Sequence, residues 1–127
     1  MADYPDHKKR ILSAESTDAD AIHEIRKMIY ITQLIYLKAG QENIFDQFEA
    51  IAIPIISKYN GRLLLRVRPN ERAFIEHRIE RPYEIHLVEF DTEQDFENFK
   101  QDEERRKFLH LKDQSIKAST LIQGTKL

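Results

Sequence analysis

Apolar side chains recur along this chain with two different periods, and the change of period predicts alternating strands and helices. The run IYITQLIYL at residues 29–37 is rich in β-branched and aromatic residues and is followed by Lys38-Ala39-Gly40, which predicts a first strand closed by a turn. From residue 44 to 56 the apolar residues return at helical spacing, and Tyr59-Asn60-Gly61 provides a stop. Pro54 lies inside this helix. Because the apolar stripe continues in phase, we expect a kink there rather than two helices.

The second half of the chain predicts a similar order of elements. RLLLRVR at 62–68 predicts strand two, and the alternation at 73–80 favours a short additional strand. YEIHLVEF at 83–90 predicts strand three. Residues from 91 resemble the capped start of a bent or two-part helix, and IKASTLIQG at 116–124 predicts the last strand.

These elements predict an α+β protein, in which a ferredoxin-like βαββαβ unit forms a four-stranded antiparallel sheet. The unit is expected to span residues 27–127. Residues 1–26 are polar and lack a sustained period, so we expect a polar arm or a short helix there.

Both faces of the predicted sheet carry apolar side chains. Strand one has isoleucines on one side, while Tyr30, Leu34 and Tyr36 face the other side. The helices of such a unit cover only one face, and a second apolar face is larger than monomers usually expose. We therefore predict a homodimer in which two sheets pack face to face around a cavity, as in a dimeric α+β barrel. The alternative is that residues 1–26 fold over this face.

The composition narrows the expected partners. The formal net charge is −2 and the pI is about 6.2, so no net positive field attracts nucleic acid or an anionic membrane surface. The absence of cysteine excludes thiolate nucleophiles, disulfides and cysteine-based metal sites. No apolar run approaches the roughly 20 residues of a membrane span, and MADYPDHKKR lacks the apolar segment of a signal peptide. We expect a cytoplasmic protein.

Histidine spacing gives no indication of a metal site. The histidines lie at residues 7, 23, 77, 86 and 110. No two of them have the H-x-H or H-x-x-x-H spacing that brings imidazoles together on a strand or a helix. We therefore expect no bound metal.

Four short segments resemble the dimeric α+β-barrel superfamily and, within it, a small bacterial family of uncharacterised domains. They are PIISKYNGRL at 54–63, IEH at 75–77, VEFDTE at 88–93 and LIQG at 121–124. They are similar to the family's Tyr-Gly-Gly turn, its Glu-Gly step and its terminal Gly. Asn60 stands in place of the first Gly of the turn, and His77 stands in place of the Gly after Glu76.

The resemblance implies a fold and homodimerisation rather than one reaction. Members of the superfamily include cofactor-free oxygenases, haem-degrading enzymes, lactone isomerases and ligand-binding modules. Nothing in this sequence matches the haem ligands of the haem-binding members. We therefore predict no cofactor.

Two histidines are candidate bases. Glu84 and His86 are two residues apart on a strand, so they share a face and could form an acid/base pair, or a surface ion pair. His77 lies among apolar residues and is expected to be a partly buried structural histidine, with a role as base as the alternative.

Other polar residues complete the predicted site. The arginines at 62, 66 and 68 are expected on one strand face, where Arg66 would meet an anionic ligand or form part of a solvated edge. Tyr30 and Tyr36 are expected to line the cavity. The charged run at 103–107 is expected to be a solvated helix face.

The prediction is thus a homodimer that binds a small, mostly apolar organic molecule, with an anionic molecule as one alternative, in the cavity between its sheets. His77 and His86 are the candidate catalytic residues, and the candidate ligand-binding residues are Tyr30, Tyr36, Arg66 and Glu84. If the protein is an enzyme, the predicted chemistry is that of a cofactor-free oxygenase or isomerase. The alternative is a non-catalytic structural or interaction module with a solid dimer interface.

Overall fold

Strands and helices alternate through residues 27–127, the part of the chain that the computed structural model describes. The strands are β1 (Ile29–Leu37), β2 (Gly61–Val67), β3 (Glu84–Phe90) and β4 (Ile116–Gly124). The helices are α1 (Glu42–Ile55), α2 (Glu93–Lys100), α3 (Glu103–Lys107) and α4 (Leu109–Ser115). The strands form one antiparallel sheet in the order β2-β3-β1-β4, which confirms the predicted ferredoxin-like unit. The arm predicted at residues 1–26 lies outside the described residues.

Helix α1 follows β1 and ends close to its proline. Its buried residues include Phe45, Phe48 and Ala52, which recur at helical spacing and turn one apolar stripe toward the sheet. The α-helix ends one residue after Pro54, and the chain continues as a 3-10 turn over Ile56–Tyr59. Pro54 therefore lies inside the α-helix, and no second α-helix follows it before β2.

A tight turn leads from α1 into β2. Asn60 adopts a left-handed conformation (φ 58°), which asparagine tolerates better than most residues do. Its carbonyl accepts a hydrogen bond from the backbone N–H of Asp91 at 3.1 Å. The turn is therefore joined to the end of β3.

The core lies between the sheet and the helices. One cluster of its buried residues comes from β1, β3, α2 and the 3-10 turn: Ile29, Ile31, Ile56, Val88, Phe90 and Phe96. The Phe90 ring centroid is 5.4 Å from that of Phe96 and 5.5 Å from that of Phe99. Thr92 begins α2 as its sequence predicts, because its hydroxyl accepts a hydrogen bond from the Asp95 N–H at 3.1 Å.

A β-bulge changes the direction of the side chains within β2. Leu63 pairs with Val88 and Leu65 pairs with Leu87, so Leu64 is an extra residue. Beyond Leu64, each side chain of β2 therefore faces the opposite side of the sheet from the one that strict alternation would give it. The arginines at 62, 66 and 68 therefore do not share a face, and that prediction was wrong.

The segment between β2 and β3 is a loop and not the short additional strand predicted at residues 73–80. It contains one 3-10 turn, Glu71–Ala73. Ile75 is 95% exposed and Ile79 is 57% exposed. The loop returns to the sheet at Tyr83, whose N–H donates to the Ile35 carbonyl at 2.8 Å.

The face of the sheet that helices α1 to α4 do not cover is called the open face here. Tyr30 and Tyr36 of β1 lie on it, together with Leu65 of β2 and Leu87 of β3, which are paired across the strands. Leu65 is 46% exposed, and Ile122, opposite Thr32, is 55% exposed. This face also carries an ion pair between Arg62 and Glu89 with an Nε–Oε1 distance of 2.7 Å, and the Tyr30 hydroxyl donates to Glu89 at 2.8 Å.

Candidate functional site

A cavity of about 170 Å³ lies between the sheet and the helices of a single chain. Most of its wall is apolar and belongs to the core, including Ile31, Val88, Phe90 and Phe99. The polar residues that line it come from every layer of the fold: Gln33, Glu49, His86, Lys100, Arg105, Lys112 and Ser119. An apolar space with a few converging polar groups is the usual form of a small-molecule site.

Glu84 lies at the centre of a network of charged residues beside this cavity. Its side chain is fully buried. One carboxylate oxygen accepts a hydrogen bond from Arg66 Nε, and the other accepts one from Arg68 Nε, each at 2.6 Å. Both arginines are held in turn by Asp46 of α1, through an ion pair of 3.8 Å with Arg66 and a direct hydrogen bond from Arg68.

The same carboxylate is paired with His86. Burial acts to raise the pKa of Glu84, but the hydrogen bonds from His86, Arg66 and Arg68 outweigh it and lower this pKa from 4.5 to about 2. Glu84 is therefore ionised at neutral pH and can only accept hydrogen bonds. The bond between His86 Nε2 and Glu84 Oε2 thus places a hydrogen on Nε2.

This bond determines which atom of His86 can carry out chemistry. Since Nε2 donates to Glu84, a proton can be gained or lost only at Nδ1. His86 itself is buried, and it lines the cavity. A carboxylate that fixes the tautomer and orientation of an imidazole is the arrangement that prepares histidine as a general base.

Glu49 of α1 brings a second titratable group to the cavity. It is only 7% exposed, and it has no hydrogen-bond or ion-pair partner among residues 27–127. Burial raises the pKa of Glu49, and the nearby Glu84 charge adds to this effect, while His86, Arg66 and Arg105 oppose it. The site therefore contains two carboxyl groups with opposite pKa shifts. Glu49 has a raised pKa, whereas Glu84 has a lowered pKa and orients His86, and such a combination is typical of acid/base sites.

Arg105 and Lys112 bring positive charge to the helical wall. Asp102 caps α3 by accepting a hydrogen bond from the Arg105 N–H at 2.8 Å. Arg105 Nη1 donates to the Lys100 carbonyl at 3.2 Å, and the guanidinium lies 5.0 Å from the centroid of the Phe99 ring. Burial lowers the pKa of Lys112, and the nearby charge of Arg105 lowers it further.

The structure brings together only some of the residues that the sequence predicted. Glu84, His86 and Arg66 lie together on the face covered by the helices, because they share that side of the sheet with Val88 and Phe90. Their predicted place in the cavity between two sheets was therefore wrong.

The other predicted residues lie elsewhere. Tyr30 and Tyr36 are on the open face, where the sequence placed them. His77 is exposed in the loop before β3, where its Nδ1 contacts the Ile79 carbonyl at 2.8 Å. It was expected to be partly buried, but the absence of a strand leaves it on the surface and outside the cavity wall.

Sequence reasoning missed Glu49 and Arg105. Glu49 sits within the apolar stripe of α1, one turn from Phe45 and from Ala52, and a carboxylate at such a position is a readable signal. Arg105 was assigned to a solvated helix face at 103–107. That prediction was wrong for Arg105, because the short helix turns this side chain toward Phe48 and Phe99.

Two negative observations apply to residues 27–127. No helix in this range combines the length and the apolar character needed to cross a membrane. The same residues contain no group of three or more histidine, aspartate or glutamate side chains placed to hold a metal ion.

Comparison with known proteins identifies the fold. No protein-family model and no curated protein matches the sequence. A protein of unknown function from Rhodopseudomonas palustris is 13% identical with a TM-score of 0.68, over 92% of this chain and 96% of that chain. A DABB-family protein with a ferredoxin-like fold from Mesorhizobium loti is 17% identical with a TM-score of 0.59, over 79% and 97% of the chains.

A third solved structure is a dimeric protein of unknown function with a ferredoxin-like fold from Bacteroides fragilis. It is 13% identical with a TM-score of 0.59, over 80% of this chain and 99% of that chain. At these identities the likeness concerns the fold alone. It agrees with the ferredoxin-like fold that the resemblance to the dimeric α+β-barrel superfamily implied.

Proposed function

We propose that this protein binds a small organic molecule in the cavity between its sheet and its helices, and that His86 acts on this molecule as a general base. The observation that carries the proposal is the bond between His86 and Glu84, since it leaves Nδ1 as the basic atom of a residue that lines the cavity.

The chemistry proposed is proton transfer without a cofactor. His86 would accept a proton from a carbon acid, and Glu49, whose raised pKa favours its protonated form, would return a proton to the same molecule. Removal and return of a proton at different atoms is an isomerisation. Of the two enzyme classes predicted from the sequence, an isomerase uses these two groups directly.

The size of the cavity limits what can enter. An apolar cavity of about 150 Å³ accommodates a single benzene ring, and the space here is about 170 Å³. The molecule would therefore be ring-sized or a short branched chain. The competing interpretation is a non-catalytic module with a solid interior. Burial of His86 and Glu49 beside a cavity costs free energy of folding, so a purely structural role does not explain this arrangement.

A two-step experiment tests this function. The purified protein is first screened by thermal shift against ring-sized and short-chain organic molecules, because a ligand of the native state raises the melting temperature. Each ligand found is then incubated with the protein in D₂O, and loss of its C–H signals is followed by proton NMR. We expect exchange of one C–H position with the wild type and none with His86→Gln.

The controls separate binding from chemistry. His110→Gln changes an exposed histidine of α4 and should leave exchange unchanged. His86→Gln should still show a thermal shift with the ligand, since the apolar wall is intact. Undiminished exchange in His86→Gln would remove His86 as the base, and a screen without any ligand would remove the binding function.

We also propose that the open face is covered by the same face of a second copy. Its apolar residues include Leu65 and Ile122, about half of whose surfaces are exposed in the single chain. Hiding such surface is favourable by about 25 cal/mol per Å², and a two-fold axis brings identical patches together. The similar protein from Bacteroides fragilis is described as dimeric, which supports this arrangement.

Sedimentation at micromolar concentrations tests the dimer. The wild type should sediment at twice the monomer mass, and Leu65→Glu with Ile122→Glu should shift it to the monomer because two charges would be buried. Leu127→Glu, at a fully exposed terminal residue, is the matched control and should stay dimeric. A monomeric wild type would contradict the proposal.

A further inference from the structure

We infer that Arg105 and Lys112 form an anion-binding end of the cavity, and that its ligand is a small apolar monocarboxylic acid. This inference rests on the proposed function of the cavity and names the chemical class of the molecule that enters it.

The first observation is an unused hydrogen-bond donor. Arg105 Nε is buried, and it has no hydrogen-bond partner within residues 27–127. The rest of the side chain is fixed, because Nη1 bonds to the Lys100 carbonyl and the guanidinium lies over the Phe99 ring. Buried donors are nearly always paired, and an orphan one in a side chain that lines a cavity indicates an acceptor that arrives with a ligand.

The second observation is the balance of charge around the cavity. Three cations line it, and of these Lys100 is already paired with Glu97 at 3.0 Å. Arg105 and Lys112 have no ion-pair partner within 4.0 Å in the described part of the chain. Glu49 is the one carboxyl among the described residues of the wall, so its charge can balance at most one of these two cations. The helical wall therefore has an excess of positive charge that an incoming anion would neutralise.

The third observation is the rest of the wall, which specifies the body of the anion. Ile31, Ile56, Val88 and Phe96 present only carbon atoms to the space. A free phosphate ion would leave this wall unfilled, whereas a carboxylate on a hydrocarbon body would occupy both parts. A guanidinium can present Nε and one Nη to the two oxygens of a carboxylate, which makes it the better match for this group.

Matched pairs of probes test the assignment by titration calorimetry of the full chain. The acids are benzoate and phenylacetate, their neutral counterparts are benzamide and phenylacetamide, and toluene and inorganic phosphate report on the apolar wall and on charge alone. We expect at least one acid to bind at least about tenfold more tightly than its amide, and phosphate not to bind.

Variants locate the charge. Arg105→Gln and Lys112→Gln should each weaken binding of the acid by about tenfold, and Arg105→Lys should weaken it less because the charge remains. None of the three should change the affinity for toluene. Arg106→Gln is the matched control, since Arg106 is exposed on the same helix and should leave all affinities unchanged. A circular dichroism spectrum identical to that of the wild type shows that a variant is folded.

The outcomes distinguish failure of the anion site from failure of the proposed ligand-binding function of the cavity. Amides or toluene that bind as tightly as the acids, or acid binding that survives Arg105→Gln unchanged, would overturn the anion site and leave the cavity as a ligand site. Phosphate binding without acid binding would also overturn it. Failure of every probe, toluene included, would overturn both.

Discussion

Tyr59 donates its hydroxyl hydrogen to Asp102 at 2.7 Å, although the two residues are 43 positions apart in the sequence. Asp102 is buried and uses its other oxygen to cap α3. A single carboxylate therefore connects the end of the 3-10 turn that follows α1 to the start of α3. Since α3 carries Arg105, this contact also positions the cation that lines the cavity.

Loss of that cap should destabilise the protein. Asp102→Ala removes the acceptor for the Arg105 N–H, and an N-cap contributes about 1 kcal/mol. We expect the free energy of unfolding in urea to fall by at least this amount. Asp113→Ala, which changes an exposed aspartate of α4, should alter it little. Equal stability of the Asp102→Ala and wild-type proteins would show that α3 does not depend on the cap.

Glu84 should make the stability of the protein sensitive to acid. Its pKa is about 2 in the folded chain and 4.5 otherwise, so the folded state holds the proton more weakly. The stability that it contributes is complete above pH 4.5 and is lost as the pH falls toward 2. Glu84→Gln should lower the free energy of unfolding by about 2 kcal/mol at neutral pH, because Arg66 and Arg68 are left with Asp46 as their charged partner.

Urea unfolding at a series of pH values checks this prediction. The difference between the wild type and Glu84→Gln should shrink as the pH falls from 4.5 to about 2. Glu104→Gln, at an exposed position of α3, is the control and should follow the wild type. A difference that does not vary with pH would contradict the lowered pKa.

Glu49 should have the opposite effect on stability. Its pKa is raised by burial, so its contribution is complete below pH 4.5 and is lost as the pH rises toward the folded pKa. Glu49→Met keeps the length of the side chain and removes the buried carboxyl, which should stabilise the protein by about 1 kcal/mol at neutral pH. The melting temperatures of the wild type and of Glu49→Met should therefore diverge above pH 4.5, and that of the variant should be higher. Glu104→Met should show no such divergence.

Gly61 leaves no room for a side chain at the start of β2. A Cβ atom there would lie 2.6 Å from Phe90 Cε1 and 2.7 Å from Ile56 Cγ2. Gly61→Ala should therefore destabilise the protein by about 2 kcal/mol through overpacking. Gly124, at the end of β4, has no atom of residues 27–127 within 4 Å of the same position, so Gly124→Ala is a matched control within the sheet. Equal melting temperatures of the two variants would contradict this account of the core.

The order of elements could be predicted from the sequence because each has a distinct period. The last strand, IKASTLIQG, matches β4 residue for residue. The bent or two-part helix predicted before it is instead divided into three short helices, α2, α3 and α4. Residues 73–80 also alternate, yet they form a loop, because a short alternating run carries no information about a neighbouring strand that could pair with it.

The face of the sheet that meets the helices was harder to predict than the sheet itself. In β3 both faces carry apolar residues, so the pattern does not show that Glu84 and His86 lie under the helices. In β2 the run Leu63-Leu64-Leu65 conceals the bulge, since three identical residues give no sign of a shift in phase. The sequence therefore predicts that Glu84 and His86 lie together, but it does not predict which face of the sheet carries them.

The extra residue Leu64 makes one strand serve two surfaces. Arg62 pairs with Glu89 on the open face, whereas Arg66 and Arg68 hold Glu84 beside the cavity. Deleting Leu64 would restore strict alternation and force either Arg62 or the other two arginines onto the wrong side. The number of residues in this edge strand is thus more tightly constrained than their identity. A homologue could replace any of these leucines by another residue more easily than it could delete one.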